Sequence, residues 1–303
     1  MPSMEKRLKR LKKNNIELLG EGEKSMKGKI CLITGGNSGI GKAIAIELAK
    51  KGATIVLLCR NEERGKKAIQ DIIEETGNIH ADLIIADLSS QRSVKQAADQ
   101  FKKKYNKLDV LINNAAVFLA KRSETEDGIE TTFATNYLSH FILSHLLLES
   151  LAASGEGRII NVASKHNGIK MNFDDLMTKQ NYAFFRAVGP TKLGLILFTK
   201  EFSKRLDGKC VTVNSLHPGI IRSNLMHDMP WILRTIFKTF STNPKKGALT
   251  PVYLASSPDV FGVSGKFFVN CKETETTEAA NDHDSARKLW DTSMSLIKPG
   301  ILF

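Results

Sequence analysis

The sequence predicts a doubly wound α/β domain, a parallel sheet of about seven strands with helices on both faces. Three observations carry that expectation. Strand-length apolar runs alternate with longer segments of helical period along the whole chain. A glycine-rich turn joins the first such run directly to the first helical segment. No internal repeat and no Gly/Ser/Pro-rich linker divides the 303 residues, a length one large domain with a well-buried core can accommodate.

Taken in order, Lys29–Ile33 is the first strand candidate, and Lys42–Lys51 follows with helical period. Thr54–Leu58 (Thr-Ile-Val-Leu-Leu) is the second strand, and Glu62–Thr76 the helix after it. Asp82–Ala86 leads to Gln91–Tyr105, and Val110–Ile112 leads to the long segment Gly128–Leu151. Arg158–Val162 leads to Lys192–Leu206, Val211–Leu216 leads to Lys245–Ser256, and Lys266–Val269 closes the set. The segment Asn224–Asn243 is weakly patterned and rich in Met, Trp and Phe. Coming late and after a strand, it reads either as a lid over a ligand or as an apolar flap buried in the core or a subunit contact.

The turn after the first strand reads Thr34-Gly35-x-x-x-Gly39-x-Gly41. A strand, a glycine turn and a helix N-terminus in that order make an anion site, because backbone N–H groups and the positive end of the helix dipole converge there. Gly35 supplies a positive φ, Gly39 lets a ligand approach the backbone, and Gly41 permits close packing. Asn37, Ser38 and Ile40 complete the turn. A ligand-free glycine turn is the bland alternative. The second strand ends in Cys59-Arg60-Asn61. A carboxylate there would hydrogen-bond ribose hydroxyls and repel a 2′-phosphate, whereas Arg60 can pair with that phosphate in bidentate fashion. The expectation is NADP(H) in preference to NAD(H), with an ordinary surface arginine as the alternative.

Composition narrows the partners. Residues 1–28 supply +4 of the net charge of +12. In residues 1–13, Met4, Leu8 and Leu11 fall at helical spacing among lysines and arginines. The segment reads as peripheral contact with an anionic membrane surface or as a solvated arm. The charged N-terminus lacks an apolar core, so no secretory signal is expected, and no run approaches 18 apolar residues, so no membrane-spanning helix is expected either. No nucleic-acid partner is expected, because basic residues are not interleaved with aromatics and no helix-turn-helix or zinc module is visible. Cys31, Cys59, Cys210 and Cys271 form no C-x-x-C pair and no ligand cluster. They read as buried free thiols in a reducing, cytoplasmic setting, with no metal site.

The longer spacing of the first two glycines resembles the short-chain dehydrogenase/reductase family, and further segments extend the resemblance over nearly all of residues 28–290. Asp87-Leu88 is similar to the pair that contacts adenine. Asn113-Asn114-Ala115-Ala116 resembles the family's Asn-Asn-Ala-Gly element, with Ala116 replacing glycine; a plain strand-end turn also favours asparagine. Asn136 resembles the helix asparagine that positions a relay water, and Ser164 the serine that holds the substrate oxygen. Pro218-Gly219-Ile-Ile221-Arg-Ser223 resembles the loop that holds the nicotinamide carboxamide. Cys-Arg-Asn, His217-Pro-Gly and Ser264-Gly-Lys-Phe-Phe-Val-Asn-Cys-Lys look most like the retinol dehydrogenase branch.

The resemblance implies a Rossmann-type domain at 28–303 behind a basic extension at 1–27, and hydride transfer between NADP(H) and an alcohol/carbonyl pair. The apolar residues Leu225, Met226, Met229, Trp231, Ile232 and Phe237 point to an apolar substrate. Dimers or tetramers through the Gly128–Leu151 and Lys192–Leu206 helices are implied in the same way. One position departs. The family uses Tyr-x-x-x-Lys, the tyrosine exchanging a proton with the substrate and the lysine binding the ribose. Here Lys192 is present, but Val188 stands four residues before it. Either water, Ser164 or Tyr182 completes a proton relay, or the pocket serves a substrate needing no such acid, or the chain is a cofactor-binding module that has lost turnover. His166, two residues past Ser164, reads as a loop histidine rather than a substitute acid.

Overall fold

The computed structural model describes residues 26–165, 168–206, 208–219 and 243–302. The eight strands among them form one sheet: β1 (Ile30–Thr34), β2 (Thr54–Cys59), β3 (Ala81–Ile85), β4 (Val110–Asn113), β5 (Gly157–Val162), β6 (Val211–His217), β7 (Phe267–Val269) and β8 (Lys272–Glu273). Their order is β3-β2-β1-β4-β5-β6-β7-β8. All pairings are parallel except β7 with β8. The order reverses between β1 and β4, the switch point where such sheets open a crevice at the strand C-termini.

Both faces of the sheet are buried, so the strands read as continuous apolar runs. Cys31, Ile33, Ile55 and Leu57 face one core, while Leu32, Val56 and Leu58 face the other. The first core is covered by α1 (Gly39–Lys50), α2 (Glu62–Thr76) and α7 (Pro244–Ser256) through Ile44, Leu48, Ile72 and Leu254. Against the second lie α3 (Gln91–Lys104), α4 (Ser139–Leu146), α5 (Leu148–Ala152), α6 (Phe184–Arg205) and α8 (His283–Leu296).

Four elements differ from the sequence expectation. The helix expected over Gly128–Leu151 begins only at Thr131. Gly128 sits at φ +73, and both Glu130 carboxylate oxygens accept N–H bonds, from Thr132 at 2.9 Å and Phe133 at 2.7 Å, capping a fresh start. One α-turn, Thr131–Phe133, then passes into a π-helical turn, Ala134–Leu138, before α4. The helix expected to begin at Lys192 starts at Phe184 instead, and Pro190 lies inside it. Proline removes one backbone donor there, and the Thr191 hydroxyl donates to the Val188 carbonyl at 2.7 Å. Lastly, β8 and α8 were not expected. α8 is capped by Asp282, whose side chain accepts from Asp284 N and Ser285 N, and it buries Ala286, Leu289, Trp290 and Ser293 against α6 and its neighbours.

The thiols also need a correction. All four are free, and Cys31 and Cys59 are buried as expected, but Cys210 is exposed and Cys271 half-buried. Cys210 lies in the tight turn into β6, and Cys271 lies between β7 and β8 at φ +61. Turns keep side chains near the surface.

Candidate functional site

The site is built at the C-terminal ends of β1, β4, β5 and β6. Gly35 adopts φ +65, and a Cβ there would stand 3.0 Å from the Ala115 Cα, so β1 and the loop after β4 are in van der Waals contact. Gly39 adopts φ +56, and among the described residues nothing stands near the place a Cβ would occupy. At Gly41 a Cβ would lie 2.5 Å from both the Gly35 carbonyl and the Asn114 side-chain nitrogen. Asn37 and Ile40 are half-buried beside these glycines, and Ser38 is exposed.

The start of α1 is left open to an anion. Ser38 makes no side-chain cap bond, and the first turn carries no acidic residue. The starts of α2, α3, α7 and α8 are capped by Asn61, Ser90, Asn243 and Asp282; α6, with Ala183 at its N-cap, is uncapped as well, but only α1 starts from the glycine turn at the end of β1. A pyrophosphate therefore fits α1 on two counts, unclaimed N–H groups and open space over Gly39.

Thr34 at the end of β1 is a hub that sequence reasoning missed. Its hydroxyl oxygen accepts from Asn114 N and Ala115 N, both at 2.9 Å. The Asn114 side chain donates to the Thr34 carbonyl at 2.9 Å. Asn114 and Ala115 thus lock the glycine turn against β4.

At the end of β2, Arg60 is 76% exposed, and its nearest carboxylate is Asp87 Oδ2 at 3.8 Å. The other Asp87 oxygen accepts from Ser89 N at 2.9 Å and Ser89 Oγ at 2.7 Å, closing the turn after β3, where Leu88 is buried. Asn61 spends its side-chain oxygen on the α2 cap, accepting from Arg64 N at 2.8 Å. Arg60 and the Asn61 side-chain nitrogen are accordingly the groups at this strand end with donors to offer.

On the other side stands Lys192, 6% exposed, with Nζ donating to the Val162 carbonyl at 2.7 Å. Burial pulls its ammonium down to about 8. Ser164 lies just past β5, its hydroxyl 3.4 Å from His217 Nδ1 at the end of β6. Burial, then the Lys165 charge, lowers the His217 pKa. Asn136 lies on the π-helical turn, a feature often found at functional sites. Its amide oxygen accepts from Val117 N at 2.6 Å, and its amide nitrogen donates to the Val117 carbonyl at 2.9 Å. Both polar ends of that side chain are committed within the protein.

Val188 lies one turn before Lys192 on α6 and is 6% exposed. Phe184, Val188 and Lys192 recur every four residues and so share one helix face. The Phe184 ring packs 5.4 Å from Phe118 and 4.4 Å from Phe185. The Tyr182 hydroxyl donates to the Leu119 carbonyl at 3.0 Å and lies 3.5 Å from the Thr132 hydroxyl. Among the described residues no hydrogen bond brings it to Ser164 or Lys192.

Pro218 and Gly219 follow β6, with Gly219 at φ +88. Ile221, Ser223, His166, the apolar residues of 224–242 and the basic residues 1–13 lie outside the described residues. Among the described residues no helix is long and apolar enough to cross a membrane, and no group of His, Cys, Asp or Glu gathers to hold a metal.

The sheet order, the glycine turn open to an anion and the buried lysine at the strand ends define a nucleotide-dependent oxidoreductase class. The family model described as short chain dehydrogenase matches residues 29–230, and the chain belongs to that family. Its similarity runs to the retinol dehydrogenase branch. It is 43% identical to mouse retinol dehydrogenase 14, the match covering 91% of this chain and 87% of the relative. Human retinol dehydrogenase 13 is 40% identical over 89% of this chain and 85% of its own. Among solved structures, a Mycobacterium paratuberculosis protein of uncharacterised function superposes with a TM-score of 0.74 at 29% identity, covering 91% of this chain and 96% of its own. An NADP active-site complex of Pseudomonas aeruginosa RhlG matches with a TM-score of 0.65 at 25% identity, over 82% and 96%.

Proposed function

We propose that this short chain dehydrogenase transfers hydride between NADP(H) and an apolar alcohol/carbonyl substrate, with a proton relay weakened at Val188. The observation that carries the reading is the juxtaposition at the strand ends: an uncapped α1 start, an exposed Arg60, and a buried Lys192 bonded to the Val162 carbonyl two residues before Ser164.

The pyrophosphate would rest on the N–H groups of α1 and the turn of Gly35, Asn37, Ser38, Gly39, Ile40 and Gly41. Arg60 would take the 2′-phosphate, swinging from Asp87, while the turn of Asp87 and Leu88 borders the adenine. Lys192 spends one of its three donors on Val162 and keeps two for ribose hydroxyls. Pro218, Gly219, Ile221 and Ser223 would hold the carboxamide. When bound, the nicotinamide supplies or accepts the hydride.

Ser164 would donate to the substrate oxygen. The Phe184 ring, on the same helix face as Val188, packs with Phe118 and with Phe185, which is 60% exposed, and this apolar cluster suits an apolar substrate. Where the family places its tyrosine, the Val188 alkyl group can neither give nor take a proton. Tyr182 spends its own proton on Leu119, so water held near Ser164 and Asn136 is the remaining source. Loss of a positioned acid slows such a reaction by about 10²–10⁴-fold without disturbing hydride positioning.

That observation at Val188 also favours a second reading, an NADP-binding module without useful turnover. A single-turnover experiment separates them. Enzyme-bound NADPH oxidised on addition of apolar aldehydes supports hydride transfer; tight binding with no oxidation over the same panel supports the module. The basic segment 1–13 completes the proposal as a peripheral contact with an anionic membrane from a reducing, cytoplasmic compartment.

A further inference from the structure

His140 is fully buried two turns before the end of α4, and nothing in the proposed chemistry uses it. Its Nε2 lies 3.3 Å from the Thr34 hydroxyl oxygen. That oxygen already accepts two backbone N–H bonds, from Asn114 and Ala115, which fills its lone pairs. The Thr34 hydrogen, which has both the Ile112 carbonyl and His140 Nε2 at 3.3 Å, is then the only thing that oxygen can offer His140, so towards it Nε2 is an acceptor that shares this hydrogen with Ile112, and the ring carries its proton on Nδ1. Among the described residues Nδ1 is buried without a hydrogen bond of normal geometry, and the backbone group nearest to offering one is that of Asn136, one turn earlier. A buried donor left unpaired is costly and calls for a reason. Burial, then the nearby Lys192 charge, pushes the His140 pKa down to about 3, so the ring is neutral under working conditions.

Three parts of the site therefore meet at one ring. Thr34 holds the floor of the glycine turn, Asn136 sits on the π-helical turn, and the Lys192 ammonium is within electrostatic reach. We propose that His140 is a positioning residue: its neutral ring takes the Thr34 proton on Nε2 and directs Nδ1–H at the Asn136 turn, holding the cofactor turn in register with Lys192. It touches no reacting atom. The assignment rests on the reading of this site as an NADP(H) site and deepens it.

The test is NADPH affinity by cofactor fluorescence, with thermal midpoints measured in parallel. The proteins are wild type, His140→Phe, His140→Gln, His140→Asn and Thr34→Val, with the double variant Thr34→Val/His140→Phe. A glutamine amide reaches the Nε2 position, whereas an asparagine amide reaches only Nδ1. Expected is a roughly tenfold weaker NADPH affinity in His140→Phe, the size of one lost hydrogen bond. Most of it returns in His140→Gln and not in His140→Asn, and the Phe and Val effects do not add in the double variant. Two results overturn the assignment alone: His140→Phe binding NADPH as wild type does, or Gln, Asn and Phe losing affinity equally and in step with their thermal midpoints, as a plain core residue would. Should His140→Phe fail to fold, the Gln, Asn and Val variants decide in the same way. A wild type that binds neither NADPH nor NADH overturns the NADP(H) site itself, and this assignment with it.

Discussion

The nucleotide side of the crevice and its chemical side treat polar groups in opposite ways. Around β1, α1 and β2, groups that bind anions are left unspent: α1 has neither a side-chain cap nor a first-turn carboxylate, and among the described residues Arg60 stands in solvent with a single distant ion pair. Around β5 and α6, side chains are already committed within the protein: Asn136 to Val117, Tyr182 to Leu119, Lys192 to Val162. The position one turn before Lys192 has nothing polar to commit. Competence to bind shows in what a fold leaves unsatisfied. By that measure the proposed cofactor side keeps its donors available among the described residues, while the proposed chemical side presents only an alkyl group at Val188.

The largest effect expected from sharpening this contrast is a gain. Val188→Tyr restores an acid one turn from Lys192, and kcat for reduction of apolar aldehydes rises by about 10²–10⁴-fold with little change in KM. Filling the open side is next. Gly41→Val forces side-chain atoms against the Gly35 carbonyl and Asn114, whose nearest atoms already lie 2.5 Å from a bare Cβ. NADPH affinity falls about a hundredfold, read by fluorescence titration, since neither β1 nor the β4 loop can retreat cheaply. Reversing the charge at Arg60 is smaller and more specific. Arg60→Glu lowers the NADP/NAD affinity ratio by at least about tenfold, one charge-assisted pair lost and one repulsion gained. An unchanged ratio means Arg60 is an ordinary surface arginine.

The smallest effects are read in stability against pH. His140 binds its proton far less well when folded than when unfolded, its pKa falling from 6.5 to about 3. Between those values the unfolded chain holds more protons, so stability falls as the pH is lowered, by about 1.4 kcal/mol per unit at this site alone. His140→Phe lacks that slope, and the difference between the two proteins in urea-unfolding midpoints narrows from pH 6.5 downward. Lys192 is also depressed, to about 8. Here the folded charged form is the penalised one, so its contribution to stability grows as the pH rises from 8 toward 10.5. Lys192→Met removes that growth relative to wild type.

Much of this was legible because local patterns and tertiary context agree. Glu62–Thr76 has its Asn61 cap, its glutamates in the first turn and Gly77 at φ +71 after its end, and the observed α2 has those bounds. Gly35, Gly39 and Gly41 were legible because only glycine tolerates the backbone and clearances found there. Other features depend on partners distant in sequence. Gly189-Pro190 resembles a helix start, yet α6 runs through it because Val188 and Leu193 are buried in the core on either side. Gly128 is read as helical until Glu130 is seen to cap a new start. The hub at Thr34 joins residues some eighty and a hundred positions away, so no local pattern announces it. His140 had a faint signal, a histidine on the otherwise apolar Phe-Ile-Leu face four residues after Asn136, but its role needs the Thr34 distance.

The most direct measurement is stopped-flow fluorescence of NADPH mixed with wild type and with Val188→Tyr, first alone and then with a panel of apolar aldehydes. The account predicts that both bind NADPH equally tightly, and that the variant oxidises it in the presence of an aldehyde at least a hundredfold faster than wild type. Equal binding with equal rates would contradict it, because the proton would then be shown to come from a group the Val188 position does not govern.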